Sequence, residues 1–315
     1  MFRLIAIVLA VFIAATGVTR AQAPALTTIH FIGAPGDDLI GFWYAQKMGF
    51  FTKAGLNIVY EPAASGAAVT PAIVGGAADI GRTSMISLIA AHVRNVPFVL
   101  IAPAAVHQKQ KSVNSGVLVA VNSPFKSVLD LQGKVVSSTE LGSLGAIGLR
   151  SMIDELGGDS STVKFVELPT GAIAAALAQG RIDGGVSNEP VMTRDLAGGK
   201  VRVLADMLEG YPGVTLEAAY FSMRDWANAN ADAIRRFQLA LRQGSAYANT
   251  HLTELLPLMI ANTGLDPDVA AKMKHATIGL TFDPSQVQPI IDVIAKYKII
   301  PKSFDAREMF LNGAK

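Results

Sequence analysis

Ile73-Val74-Gly75-Gly76-Ala77-Ala78-Asp79-Ile80-Gly81 and Leu177-Ala178-Gln179-Gly180-Arg181-Ile182-Asp183-Gly184-Gly185 are two versions of one stretch. The Gly76/Gly180 and Asp79/Asp183 pairs each stand 104 positions apart. Each version reads as a helix end, a glycine stop and a short apolar strand, since glycine adopts the left-handed backbone that closes a helix. Two similar α/β units predict two lobes, and two lobes predict a ligand cleft between them.

Around the first version, residues 28–32, 57–60, 78–80 and 98–102 read as strands and residues 39–48, 67–74 and 85–93 as helices. Around the second, residues 134–137, 163–167, 182–186 and 201–204 read as strands and residues 145–156, 172–178 and 189–196 as helices. Strands alternating with helices predict a mostly parallel sheet, flanked by helices, in each half. After a strand at 218–222 the pattern turns helical at 231–249, 252–261, 267–275 and 285–297. Ile234, Phe237, Leu241 and Ala248 share one face of the first of these helices. The economical topology crosses between lobes near residues 113–116 and returns near 211–217, the two segments of a hinge. Residues 24–115 with 216–315 then form lobe 1, and residues 116–215 form lobe 2.

Residues 1–23 read as a cleavable secretory leader. Arg3 supplies the charged start, residues 4–15 are an unbroken apolar run too short to span a bilayer comfortably, and Ala21-Gln22-Ala23 is a small-residue cleavage pattern. Of the 27 basic residues, Arg3 and Arg20 fall in the leader, so the rest balance the 25 acidic residues. No basic face argues for nucleic acid. With no cysteine in the chain, thiol nucleophiles, thiolate zinc sites and iron–sulfur clusters are excluded.

In open parallel sheets ligands sit at the carboxyl ends of strands, where the next helices begin and offer unpaired N–H groups. Those positions carry Asp37, Asp38, Ser65, Gly66, Thr83 and Ser84 in the first half, and Ser138, Thr139, Ser143, Asn188 and Glu189 in the second. The 104 spacing maps Ser84 onto Asn188, so the halves can face each other with matched donors. Each hydroxyl also suits a helix cap, as does Asp38, and the two roles can coexist. Trp43 and Tyr44 in the first helix suit either the core or the wall of a cleft for a flat ligand. No catalytic constellation is present. His30, His92, His107, His251 and His275 lack metal-ligand spacing, and there is no H-E-x-x-H, G-x-S-x-G or Walker loop. No metal or cofactor is expected. The rival reading, an enzyme on the same scaffold, needs a base such as His107 or Glu189 at the reacting atom.

The chain also resembles the periplasmic substrate-binding proteins of ABC importers, in the group of nitrate, sulfonate and taurine (SsuA-like) binders and thiamine-precursor (NMT1/THI5-like) binders. The resemblance rests on Gly49-Phe50-Phe51-Thr52-Lys53-Ala54-Gly55-Leu56, on Ser65-Gly66 followed by the first repeat, and on Asp130-Leu131-Gln132-Gly133-Lys134-Val135-Val136. It continues through Ala176-Leu177 to Asp183 and Glu189-Pro190. It implies a type II periplasmic-binding-protein-like fold of two lobes and a small polar ligand caught by lobe closure. A permease in the inner membrane is the implied partner, and the binding protein itself is expected to be a monomer. His107-Gln108-Lys109 resembles a segment of the thiamine-precursor branch, which adds His107 and Gln108 to the expected ligand-binding set. Residues 33–38 depart from that branch's tryptophan-proline-asparagine loop, leaving oxyanion and heterocycle or amine ligands both open. A binding protein that feeds a sensor is a further alternative.

Overall fold

The structure, a computed structural model, describes residues 26–108 and 114–311. The leader assigned to residues 1–23 lies outside the described residues, as do Lys109 and Val113, the first residue of the crossing near 113–116. The first half of the chain builds β1 (Thr27–Gly33), β2 (Leu56–Pro62), β3 (Ile80–Ser84) and β4 (Phe98–Pro103). It leaves through β5 (Ala105–Gln108) and builds β6 (Ser115–Ala120), β7 (Val135–Ser138), β8 (Lys164–Glu167), β9 (Gly184–Asn188) and β10 (Val201–Asp206). It returns through β11 (Val214–Leu216) to β12 (Ala218–Met223), and β13 (Thr277–Ile278) lies among the closing helices.

Two five-stranded sheets result, ordered β2-β1-β3-β12-β4 and β8-β7-β9-β6-β10. The orders are equivalent strand by strand. In each, the second strand, β1 or β7, is parallel to both of its neighbours, as helical crossovers demand. In each, one strand is antiparallel, and it is the strand at a crossing between halves: β12 on the return and β6 on entry. The architecture is α/β, two mixed, mostly parallel sheets covered by helices.

The repeated stretch performs the same work in both halves. Gly76 and Gly180 take left-handed backbones, φ +74° and +67°, and end their helices in the way glycine allows. The Asp79 carboxylate accepts the His30 N–H at 2.8 Å, while its own N–H donates to the His30 carbonyl at 2.9 Å. Asp183 does the same to Val135, at 2.9 and 2.8 Å. These clamps hold each aspartate just before its strand, so β3 and β9 begin later than residues 78 and 182. Gly81 and Gly185 then let a helix seat on the sheet. A Cβ at Gly81 would lie 2.8 Å from Ile73, and one at Gly185 would lie 2.3 Å from Ile173.

The short strands β5, β11 and β13 are legible only in three dimensions, where they form a third sheet, β11-β5-β13. Pieces of two to four residues carry too little periodicity to read. The long helix Ala231–Ala248 buries Ile234, Phe237, Leu241 and Ala248, and its Gly244 meets helix Ile40–Lys47 so closely that a Cβ would lie 2.1 Å from the Gly41 carbonyl oxygen. Helix Gln288–Lys296 buries Ile290, Ile291 and Ile294. Just beyond it the Tyr297 hydroxyl donates to Asp154 of helix Leu144–Glu155 at 2.6 Å. The closing helices therefore touch the second half as well as the first. Among the described residues, no helix is long and apolar enough to cross a membrane.

Candidate functional site

A cavity of about 480 Å³ lies between the sheets, walled by strand ends and helix starts from both halves. That size suits a small solute. Of the residues expected at a ligand, it brings together Asp37, Asp38, Gly66, Thr83, Ser84, Thr139, Ser143, Asn188 and Glu189. The local reasons differ from residue to residue.

On the first half, Thr83 is buried at the end of β3 and donates its hydroxyl to the Gly66 carbonyl at 3.0 Å. Ser84 caps helix Met85–Val93, its Oγ accepting the Ser87 N–H at 3.4 Å. Asp38 does not cap its helix: no side-chain cap bond is made there. Its carboxylate, 3 % exposed, forms an ion pair and hydrogen bond with Arg82 instead, because a buried charge needs a counter-charge more than a helix end needs a cap. Burial works to lower the Arg82 pKa, but the Asp38 carboxylate outweighs it and holds the guanidinium above its ordinary value. Asp37 accepts the Ala276 N–H at 2.8 Å and lies 3.8 Å from His275 Nδ1. Burial, followed by the neighbouring Asp38 charge, pushes the Asp37 carboxyl up.

On the second half, Ser143 caps helix Leu144–Glu155 through the Ala146 N–H at 3.1 Å. Ser138 is wholly buried and stands behind it, 2.8 Å away between hydroxyl oxygens, so it positions Ser143 rather than lining the cavity. Thr139 and Asn188 are exposed on the rim. Glu189 accepts from the Thr193 N–H at 3.0 Å and hydroxyl at 2.9 Å. It also accepts the Lys274 N–H at 3.3 Å. Residues 274–276 thus run between carboxylates of both halves, Glu189 and Asp37.

His107 and Gln108 do not line this cavity. They border a small void beside it, with Asn114, Glu217 and Thr277. His107 is 2 % exposed, and its Nε2 lies 3.9 Å from Asp206 Oδ2. Burial pushes the Asp206 carboxyl up to about 6, against the pull of the Leu208 N–H. Glu217 touches both spaces. Burial, then the charges of Asp37, Asp38 and Asp206, push its carboxyl up to about 8.

Trp43, Tyr44 and Ser65 stay away from the cavity. Trp43 and Tyr44 belong to the apolar core beneath the first sheet, and Tyr44 stacks on Tyr247 at 4.3 Å between centroids. Ser65 is exposed beside Gly66 and makes no cap bond. Sequence reasoning missed Arg82, Asn114, Glu140 and Glu217, all in the cavity wall. Arg82 had a signal: it stands between Gly81 and Thr83 in a short apolar strand, where an unpaired arginine is untenable. Among the described residues, no group of three or more His, Asp or Glu could hold a metal ion.

A family model described as NMT1/THI5 like matches residues 37–254. A protein of Escherichia coli (strain K12) named for aliphatic sulfonate binding is 24% identical over 248 residues, covering 74% of this chain and 72% of its own. Among solved structures, the periplasmic aliphatic sulphonate binding protein SsuA from Escherichia coli superposes with a TM-score of 0.77 at 22% identity, over 92% of this chain and 99% of that one. The periplasmic nitrate-binding protein NrtA from Synechocystis PCC 6803 superposes with a TM-score of 0.68 at 15% identity, over 91% and 85%.

Proposed function

The chain belongs to the NMT1/THI5-like family, and from that premise we propose that it is the solute-binding component of an ABC importer. It is exported to the periplasm behind the leader of residues 1–23, acts as a monomer and hands a small polar ligand to an inner-membrane permease. The observation that carries this reading is the cavity itself: its wall draws on β3 and helix Met85–Val93 in one half and on β9 and helix Leu144–Glu155 in the other. A ligand touching both walls makes contacts in a closed state that an open state lacks. It therefore shifts the population toward closure by that difference.

The hinge assigned here is the pair of crossings, residues 113–116 and 211–217. The second includes β11, which pairs with β5 at Thr215↔His107 and Leu216↔Val106. The ligand-binding set is Asp37, Arg82, Thr83 and Ser84 facing Thr139, Ser143, Asn188 and Glu189, with Glu217 at the junction. Relatives named for sulfonate and nitrate binding support a small solute as cargo. Calorimetric titration with sulfonates, nitrate, taurine, pyrimidines and amines, with X-ray scattering on any ligand that binds, tests the reading. Saturable binding with a smaller radius of gyration is expected. No binding to any of them, or binding with no compaction, contradicts it.

A further inference from the structure

The cavity wall is charged unevenly. Five carboxyl groups line it, Asp37, Asp38, Glu140, Glu189 and Glu217, against one cation, Arg82. Asp38 already holds that guanidinium. Lys109 and Lys111 lie outside the described residues, and counting both in full still leaves five acids to three bases. Helix starts could redress the balance in favour of an anion, but most of those opening on the cavity are already answered by the protein. Ser84 and Ser143 accept their own helices' N–H groups, and Glu189 places a carboxylate at the start of helix Val191–Ala197, on the Thr193 N–H. Asp37 and Asp38 stand at the start of the first helix.

We infer that the ligand is a small organic cation bearing N–H donors, such as a protonated amine or amidine, rather than a sulfonate or another oxyanion. The inference rests on the binding-protein reading above and names the ligand class for its cleft. Asp37 and Glu189, lining the cavity from the two halves, supply acceptors for a cation, and Glu140 adds a third at the rim. An anion placed there would meet the Glu140 and Glu189 carboxylates in a partly enclosed space, where like charges are poorly screened. Proton traffic follows from the same geometry. A cation beside Glu217, which faces Asp37, Asp38, Asp206 and Arg82, favours loss of its proton, and an anion favours uptake.

The test is thermal-shift screening and calorimetry of the full mature chain against two matched panels at neutral pH. One panel holds butane-1,4-diamine, methylguanidine and 4-aminopyridine; the other holds ethanesulfonate, butanesulfonate and nitrate. Stabilisation confined to the first panel is expected, with proton release seen as a dependence of the heat on buffer. Loss of a charge-assisted contact in Glu189→Gln, and separately in Glu140→Gln, should weaken that binding by about tenfold or more. Glu140 is exposed, so its variant reports on binding without a folding penalty. Saturable binding of ethanesulfonate, butanesulfonate or nitrate, with proton uptake, overturns the cation inference and leaves the importer reading standing. Silence from both panels, extended to taurine and pyrimidines, overturns both.

Discussion

β3 and β9 are one strand written twice; they differ in character at Ile80/Gly184 and, in the cavity wall, at Arg82/Val186. Gly81 matches Gly185, Thr83 matches Ser187 and Ser84 matches Asn188, but Arg82 matches Val186. Both of these last side chains line the cavity. The glycine that seats a helix on the sheet is the same in both halves, and the cavity-facing position after it is not. The first half brings a buried ion pair and two further acids to the cleft. The second brings two acids, Glu140 and Glu189, among neutral groups and no cation. Repetition here maintains the scaffold, while departure from it marks the chemistry.

The largest expected effect breaks the comparison at its point of difference. Arg82→Met makes β3 resemble β9 but leaves Asp38 buried without its partner, and should destabilise the fold by about 3–5 kcal/mol in denaturant melts. The double variant Arg82→Met/Asp38→Leu should recover much of that loss, since it removes both charges. Next come the shared positions. Gly81→Ala and Gly185→Ala should each cost about 1–3 kcal/mol through overpacking, because a Cβ would meet Phe221 at 2.5 Å in one half and Ile173 at 2.3 Å in the other. A neutral result at either glycine separates the halves. Asp79→Ala and Asp183→Ala should each lose about 1–2 kcal/mol, in step with one another, since each removes one clamp on the neighbouring strand.

The last effect is a pH dependence. The Glu217 carboxyl is held at about 8 in the folded protein, above its ordinary value. The folded state therefore binds more protons than the unfolded state between the ordinary carboxylate range and about pH 8, and stability from this group falls as pH rises through that window. Glu217→Gln mimics the protonated form. Its melting temperature should gain on the wild type steadily from pH 5 to about pH 8, as the wild type loses the stability that goes with its raised carboxyl. A constant difference across that range contradicts the assignment.

Most of the fold was legible because its signals are local. Glycine stops, apolar strand runs and the 104-residue spacing are all written in adjacent residues. The cap roles of Ser84 and Ser143 were legible for the same reason. What escaped depends on contacts far apart in the chain. Asp38 and Arg82 are 44 residues apart, so the pair that takes Asp38 away from capping is invisible to a local reading. Glu217 reaches the cleft only because β11 pairs with β5 and returns the chain to the first sheet. Trp43 and Tyr44 were ambiguous between core and cleft, and the close Gly41–Gly244 contact of their helix with helix Ala231–Ala248 shows why the core claimed them.

The absence of cysteine makes the central claim directly measurable. Ala67 is exposed in the cavity wall of one half, and Leu141 is exposed beside Glu140, which lines it from the other, so Ala67→Cys/Leu141→Cys carries two spin labels and no others. Electron–electron distance measurements are then taken with and without a saturating ligand chosen by calorimetry. A shorter, narrower distance distribution with ligand is the predicted result. An unchanged distribution, with the ligand demonstrably bound, would contradict closure of two lobes over a shared cleft.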